Sequence, residues 1–242
     1  MSGHSQFKNI MYRKGAQDAR KAKVFSKISR EITVAVKEGG TDPESNTRLR
    51  SALISARSEN MPKDNVDRAV KKAMGGEAGV DYTSVRYEGY GPGGVAIIVE
   101  GLTDNKNRTA SDVRSSFSKF GGSLGETNSV SFQFDRVGYI SYPVKITSED
   151  GMFEAAIDAG ADDMTAGDEV FEIICKMDKL SEVRDKLIKK FGDPQEAKVT
   201  WMPKNTVPIN KDTAQSLFKL IEQLEDSDDV QSVTANCDIV TA

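Results

Sequence analysis

The sequence has few of the residues on which disulfide bonding, metal binding and nucleophilic catalysis usually depend. It contains two cysteines and one histidine in 242 residues. Cys175 and Cys237 lie far apart in apolar-alternating stretches, so we interpret them as buried small hydrophobic residues. His4 lies in a polar N-terminal segment, where a Ser-His or Cys-His pair would need unusual geometry. The sequence therefore predicts no metal site, no cofactor and no enzymatic activity, and a nucleotide-handling enzyme is a remote alternative.

Long hydrophobic runs and known base-reading modules are absent as well. No stretch of about 18 apolar residues occurs, and the polar N-terminus lacks the apolar core of a secretory signal, so we expect a soluble, cytoplasmic protein. Nothing resembles a helix-turn-helix with a polar second helix, a zinc finger or an RNP aromatic sheet. The Gly-Pro-Gly-Gly run at 91–94 leads into another strand, whereas a phosphate-binding loop needs a Lys-Ser/Thr ending and a helix.

Acidic residues are scarce near the N-terminus, and the charge is unevenly distributed as a result. The formal net charge is −4. Residues 1–75 contain 16 Lys and Arg against 8 Asp and Glu, a net charge of +8, so the remainder carries −12 (−4 minus +8). This asymmetry predicts that the N-terminal end binds an anionic partner such as nucleic acid while the acidic remainder stays off it.

A helix predicted over about 16–37 has an apolar face and a basic face. The apolar face comprises Phe25, Ile28, Ile32, Ala35 and Val36. On the opposite side, a basic row from Arg20 to Lys37 would run roughly 25 Å, long enough to meet several phosphates. A merely soluble helix face is the alternative, but such a face would carry balancing acidic residues. The predicted nucleic-acid-binding residues, here and in the flanking segments, are Lys8, Arg13, Lys14, Arg20, Lys21, Lys23, Lys27, Arg30, Lys37, Arg68, Lys71 and Lys72.

Two further helices complete a predicted N-terminal bundle. The second is predicted to begin at Asp42-Pro43 and the third at Met61-Pro62, each with small apolar residues on its inner face. Ahead of the bundle, an arm with basic and aromatic residues is either a frayed terminus or a segment that orders on nucleic acid. The candidates for stacking or for a partner-binding loop are His4, Phe7, Tyr90, Pro92, Gly93 and Gly94.

Beyond the bundle the hydrophobic period changes from 3.6 to 2. We predict strands over 82–90, 95–102 and 130–134 with a helix over 109–120, then a βαββαβ segment over 137–202. A linker over 205–210, a helix and a closing strand over 230–239 follow. The predicted fold class is α+β multidomain, with an N-terminal three-helix domain followed by two ferredoxin-like α/β sandwiches, one inserted into the other. The predicted domains are 1–76, 80–135 plus 207–242, and the insertion 136–206.

Two acidic or polar clusters resemble cation sites only superficially. Asp104, Asn105 and Asn107 have calcium-loop spacing, but Lys106 occupies a ligand position. We interpret this stretch as a turn and a helix cap. The acidic residues at 225–229 are interpreted as a solvated turn.

Several short motifs together resemble one protein family. They are Gly3-His4-Ser5 with Lys8-Asn9-Ile10, Arg13-Lys14 with Ala16-Gln17-Asp18, Asn60-Met61-Pro62, Tyr87-Glu88-Gly89-Tyr90-Gly91-Pro92-Gly93-Gly94, Asp104-Asn105-Lys106-Asn107-Arg108-Thr109 and Gly121-Gly122-Ser123-Leu124-Gly125. The chain thereby resembles the YebC family, which includes the mitochondrial translational activator of cytochrome c oxidase subunit I. The resemblance implies a helical domain followed by two α/β domains, one inserted in the other. Gln6 and Phe7 depart from the family's usual Lys-Trp, which would weaken a phosphate or stacking contact there.

The resemblance leaves two functions open. Family members are described as probable DNA-binding transcriptional regulators, and also as factors that help ribosomes through proline-rich stretches. Since a basic surface does not distinguish the phosphates of DNA from those of RNA, the sequence alone leaves both open. We favour a translation factor that binds ribosomal RNA through its basic helical domain, with a duplex-DNA-binding regulator as the alternative. The sequence indicates no small-molecule substrate and no membrane partner, and it leaves the oligomeric state open while slightly favouring a monomer.

Overall fold

A computed structural model describes residues 17–75 and 81–239 of the chain. In chain order its helices and strands are α1 (Gln17–Gly39), α2 (Thr47–Ser58), α3 (Lys63–Ala73), β1 (Thr83–Tyr90), β2 (Ala96–Thr103), α4 (Lys106–Lys119), β3 (Ser123–Leu124), β4 (Phe134–Pro143), α5 (Glu149–Ala159), β5 (Asp163–Ala166), β6 (Val170–Lys176), α6 (Leu180–Phe191), β7 (Glu196–Pro203), β8 (Val207–Ile209), α7 (Lys211–Glu225), β9 (Val230–Ala235) and β10 (Cys237–Ile239). This order confirms the predicted fold class. Two compact units divide the described residues, one with 17–19, 81–135 and 201–239 and the other with 20–75 and 136–200. The exact limits of the three predicted domains stay a prediction.

The helical bundle has a thin core, as its small inner residues predict. Ile32 and Ala35 of α1 pack against Leu49 and Ala52 of α2 and Ala69 of α3. Small side chains allow the backbones to approach closely: the Thr33 hydroxyl of α1 donates a hydrogen bond of 3.3 Å to the Ala69 carbonyl of α3. The apolar face predicted for α1 is confirmed.

The second helix begins at Thr47, so the start predicted at Asp42 is wrong. Asp42 instead closes a turn, its carboxylate accepting hydrogen bonds from the Glu44 N–H and the Ser45 hydroxyl. The true cap is the buried Asn46, whose side chain accepts from the Leu49 N–H at 3.0 Å and donates to the Ala35 carbonyl at 2.7 Å. One amide thus satisfies the end of α1 and the start of α2, which no local sequence pattern reveals.

The inserted sandwich matches its prediction element by element. Its four strands lie in the order β5-β6-β4-β7, the spatial order of a ferredoxin-like sheet. Strands β5 and β4 each pair antiparallel with β6. Side chains of α5 and α6, among them Met152 and Leu187, pack against Ile140 and Ile173 of the sheet in one apolar core.

The discontinuous sandwich also places two helices on a four-stranded antiparallel sheet, of order β3-β1-β2-β9. Val99, Val113, Leu217 and Val233 belong to its main core. Its third strand is Ser123–Leu124, so the strand predicted at 130–134 is wrong, and 131–133 form a 3-10 turn. The buried Glu88 carboxylate causes this turn by accepting hydrogen bonds from the Val130 and Ser131 N–H groups.

The strands near the C-terminus differ from the prediction, and the difference centres on Asn236. The expected linker over 205–210 contains β8, which pairs in parallel with β10, and the expected closing strand is divided into β9 and β10. Between them, the buried Asn236 side chain accepts a hydrogen bond of 2.7 Å from the Ala96 N–H, and the backbone carbonyl of Asn236 accepts one from the Val207 N–H. Asn236 therefore lies where the chain leaves the four-stranded sheet that contains β9 and enters the two-stranded sheet of β8 and β10.

Candidate nucleic-acid interface

The basic row of α1 is less exposed than the sequence predicts. Lys21 and Lys37 are exposed, whereas Lys23, Lys27 and Arg30 are half-buried. Val34 follows Arg30 by four residues on the same side of the helix and is only 4% exposed. A buried apolar side chain thus interrupts the row, so the basic face predicted for α1 is not continuous.

Some predicted site residues lie outside the described residues. These are Lys8, Arg13 and Lys14 of the basic set, and His4 and Phe7 of the stacking set. Arg20 belongs to the first turn of α1, but its side chain is outside the described part.

Two acidic residues of α1, Glu31 and Glu38, are held by a residue that the sequence pattern did not indicate. The Arg48 guanidinium of α2 donates two hydrogen bonds to the Glu31 carboxylate in a bidentate contact, at 2.6 and 3.1 Å. It donates a third, of 2.7 Å, to the Glu38 carboxylate. Burial alone would lower the pKa of Arg48, but the hydrogen bonds and charges of these two carboxylates raise it, so the arginine stays charged. These bonds offset the negative charge that would oppose an anionic ligand along α1.

Basic residues from α1 and α3 meet where these two helices contact each other. Arg30 and Lys37 lie three residues before and four residues after Thr33, and therefore on the side of α1 that touches α3. Lys72 lies three residues after Ala69 on α3. The structure thus brings these three predicted site residues to one seam.

The exposed surface of α3 extends this positive region. Arg68 and Lys71 are exposed, and neither forms an ion pair within residues 17–75 and 81–239. By contrast, the arginines of α2 all contact carboxylates: beside Arg48, Arg50 lies 3.0 Å from Glu44, and Arg57 pairs with Asp193. Arg68 and Lys71 of α3 are therefore available to phosphate, whereas the arginines of α2 stabilise the fold through their carboxylate partners.

The 91–94 loop is packed onto its own domain. A Cβ added at Gly93, which has a φ of +77°, would lie 2.8 Å from Thr213 at the start of α7. The Tyr90 ring is partly exposed beside the loop, and its hydroxyl accepts a hydrogen bond from Gln133 at 3.2 Å. Replacing Gly93 by Ala would strain the fold directly, so that change cannot test whether the loop has a partner.

The polar motif at 104–109 is structural, as its interpretation as a helix cap predicts. Asn105 caps α4 by accepting from the Arg108 N–H at 3.1 Å. The expectation that the acidic turn is fully solvated is wrong for Asp229, which is buried and accepts from Thr109 at 2.8 Å and Arg108 at 2.9 Å. Asp229 thereby holds the start of α4 beside β9. This role could not be predicted from the sequence because it depends on β9 lying next to β2 in the sheet.

The two cysteine thiols of the described chain are unreactive at neutral pH. Cys175 and Cys237 are buried free thiols, and burial raises the pKa of each to about 11, which keeps them protonated at neutral pH. Across residues 17–75 and 81–239 no cluster of three or more His, Cys, Asp or Glu side chains could hold a metal ion. Within the same ranges no helix is both long and apolar enough to span a bilayer.

The described architecture is a helical bundle followed by two α/β sandwiches, with a positive seam on the bundle. Family comparison agrees: the TACO1/YebC N-terminal domain matches residues 5–76, and the TACO1/YebC second and third domain matches residues 82–237. The chain belongs to the TACO1/YebC family, a family of transcription or translation regulators, which indicates a nucleic-acid partner.

A solved structure shares the whole architecture. The chain is 46% identical to a conserved hypothetical protein from Aquifex aeolicus, whose crystal structure superposes with a TM-score of 0.88. The match covers 96% of each chain.

Proposed function

We propose that this protein is a non-enzymatic translation factor whose helical bundle docks on ribosomal RNA and assists elongation through proline-rich sequences. The observation that carries the proposal is the exposed basic surface of α3. Arg68 and Lys71 are exposed there without an ion pair in the described chain, and Arg48 of α2 holds Glu31 and Glu38 of α1. Phosphate groups supply the charge that such a surface lacks.

Two features favour ribosomal RNA over duplex DNA. The cations are spread over two crossing helices, which suits a shaped RNA surface better than the straight major groove. The exposed residues of α3 are also all charged (Lys63, Asp64, Asp67, Arg68, Lys71 and Lys72), and none of them is Asn or Gln, the side chains that read adenine in the major groove. The assistance at proline-rich stretches comes from the family resemblance.

The test is a charge reversal on α3. We expect Arg68→Glu/Lys71→Glu to weaken co-sedimentation with purified ribosomes by about tenfold or more at about 100 mM salt, because two phosphate contacts are replaced by repulsion. The matched control is Lys176→Glu/Lys189→Glu, which makes the same change of net charge at exposed residues of the inserted sandwich. Equal binding by both variants, each with a native circular dichroism spectrum, contradicts the proposal. The same reversal at Lys23 or Lys27 is less informative, since those side chains are half-buried.

The second candidate is a DNA-binding transcriptional regulator, which the family's membership among transcription or translation regulators favours. Competition between ribosomes and duplex DNA, from about 50 to 200 mM salt, separates the two functions, since non-specific DNA binding falls steeply with salt. If ribosomes remain bound where random duplexes are lost, the translation factor is supported. If one DNA sequence outcompetes ribosomes at the upper salt concentration, the transcriptional function replaces it.

A further inference from the structure

An apolar pair lies exposed on the outer face of α5 in the inserted sandwich. Phe153 is 50% exposed and Ile157 is 58% exposed. They are four residues apart, so their side chains are neighbours on the helix surface. The opposite face of α5, with Met152 and Ala156, is fully packed in the sandwich core, so this helix needs no further partner in order to fold.

The same part of the chain is strongly and exclusively acidic. Residues 148–169 contain eight acidic residues and no Lys or Arg. All eight side chains are exposed, and none forms an ion pair with another described residue. They are Glu149, Asp150, Glu154, Asp158, Asp162, Asp163, Asp168 and Glu169.

The topology gathers these charges at one edge of the inserted sandwich. β5 is the edge strand of the sheet, and α5 packs against it. On α5 itself, Asp150 is three residues before Phe153, and Glu154 and Asp158 each follow a member of the apolar pair. The apolar pair is therefore rimmed by carboxylates. We call Phe153, Ile157 and the eight acidic residues the acidic face.

We propose that the acidic face docks a protein segment that presents two or more apolar side chains flanked by Lys and Arg. Charge complementarity identifies the partner: eight carboxylates attract a cationic segment and repel RNA, DNA and anionic lipid surfaces. Apolar anchors at helical spacing match the groups that an amphipathic segment buries on binding. The docking is separate from the nucleic-acid contact proposed for the bundle and does not depend on it.

The experiment uses the full chain and two labelled peptides of about four helical turns. One peptide has Leu on one face and Lys on the other, and its isomer has the same composition in an order that forms no apolar face. We expect the amphipathic peptide to bind about tenfold tighter than the isomer in fluorescence anisotropy. Phe153→Ser/Ile157→Ser should remove that advantage.

Two control variants separate docking from other effects. Met177→Ser changes a side chain that is 50% exposed on the same sandwich but lies outside the acidic face, and it should bind like the wild type. Arg68→Glu/Lys71→Glu should retain peptide binding even where ribosome binding is lost, which keeps a failure here distinguishable from a failure of the proposed function.

Three results would overturn the proposal. The first is equal binding of the two peptides, which would mean attraction by charge alone. The second is full peptide binding by Phe153→Ser/Ile157→Ser. The third is a dimer in sedimentation that this variant abolishes, because the acidic face would then join two copies of the chain.

Discussion

The two α/β sandwiches have the same layers but are held together differently. In the inserted sandwich the four strands and two helices follow one another within 134–203, and the apolar core carries the fold. In the discontinuous sandwich, β9 comes from the far end of the chain, and buried Glu88, Asp229 and Asn236 hold its segments in place. Asn236 alone bonds to Ala96, 140 positions away. Buried polar side chains therefore substitute for the chain continuity that this sandwich lacks.

This difference predicts where single substitutions do most damage. Removing a buried acceptor leaves several buried donors without a hydrogen-bond partner. Removing one member of an exposed ion pair costs less, because water solvates the member that remains. Trp201 is the only tryptophan and lies under the Arg86 guanidinium, 5.3 Å from the ring centre. Because Trp201 lies in β7 and its ring contacts Arg86 of β1, its fluorescence reports loss of the packing against β1.

The largest effect is expected for Asp229→Ala. The change removes the acceptor shared by the Thr103 and Thr109 hydroxyls and the Arg108 guanidinium. We expect a loss of about 3 kcal/mol in the free energy of unfolding, measured by urea titration of Trp201 fluorescence. The control is Asp228→Ala at the adjacent exposed position, which should change stability by less than about 0.5 kcal/mol. Similar losses in the two variants would remove the distinction drawn between buried and exposed acids.

A smaller and pH-dependent effect is expected for Glu88→Gln. Burial alone would raise the pKa of Glu88, but the N–H groups of Val130 and Ser131, helped by the charge of Arg86, lower it. Because the folded pKa lies below the unfolded value of about 4.3, the carboxylate stabilises the protein fully above that unfolded value. This contribution is lost as the pH falls through the folded pKa.

Glu88→Gln should therefore cost about 2 kcal/mol near pH 7, and less as the pH falls below the unfolded pKa of Glu88. Urea titrations at several pH values measure this difference. Glu126→Gln, on the exposed segment before the 3-10 turn, should leave stability unchanged at every pH. A cost for Glu88→Gln that is independent of pH would show that the ionised carboxylate is not what holds the turn.

The smallest effect is expected for Arg57→Ala. Arg57 pairs with Asp193 across sequence-distant segments of the second unit, but the two side chains are 65% and 41% exposed. We expect a loss below about 1 kcal/mol in chemical denaturation followed by circular dichroism, and screening by salt. A loss comparable to that of Asp229→Ala would mean that distance along the chain, and not burial, decides the cost.

Much of the architecture could be predicted from the sequence because it depends on local periodicity. The alternation of 3.6 and 2 residue periods predicted all six elements of the inserted sandwich, and the Met61-Pro62 pattern located the start of α3. The failures share one cause. The helix start at Asp42, the strand at 130–134 and the linker at 205–210 were wrong because Asn46, Glu88 and Asn236 form hydrogen bonds to distant backbone groups.

The candidate interface was only partly predictable for the same reason. The sequence by itself determined the charge asymmetry and the family motifs, since charges and residue types need no contacts to be counted. Only the tertiary structure decided which basic side chains remain exposed: α3 presents Arg68 and Lys71, Val34 interrupts the row on α1, and Arg48 is engaged by two carboxylates. Exposure and ion pairing depend on which elements pack together, and that information is spread over the whole chain.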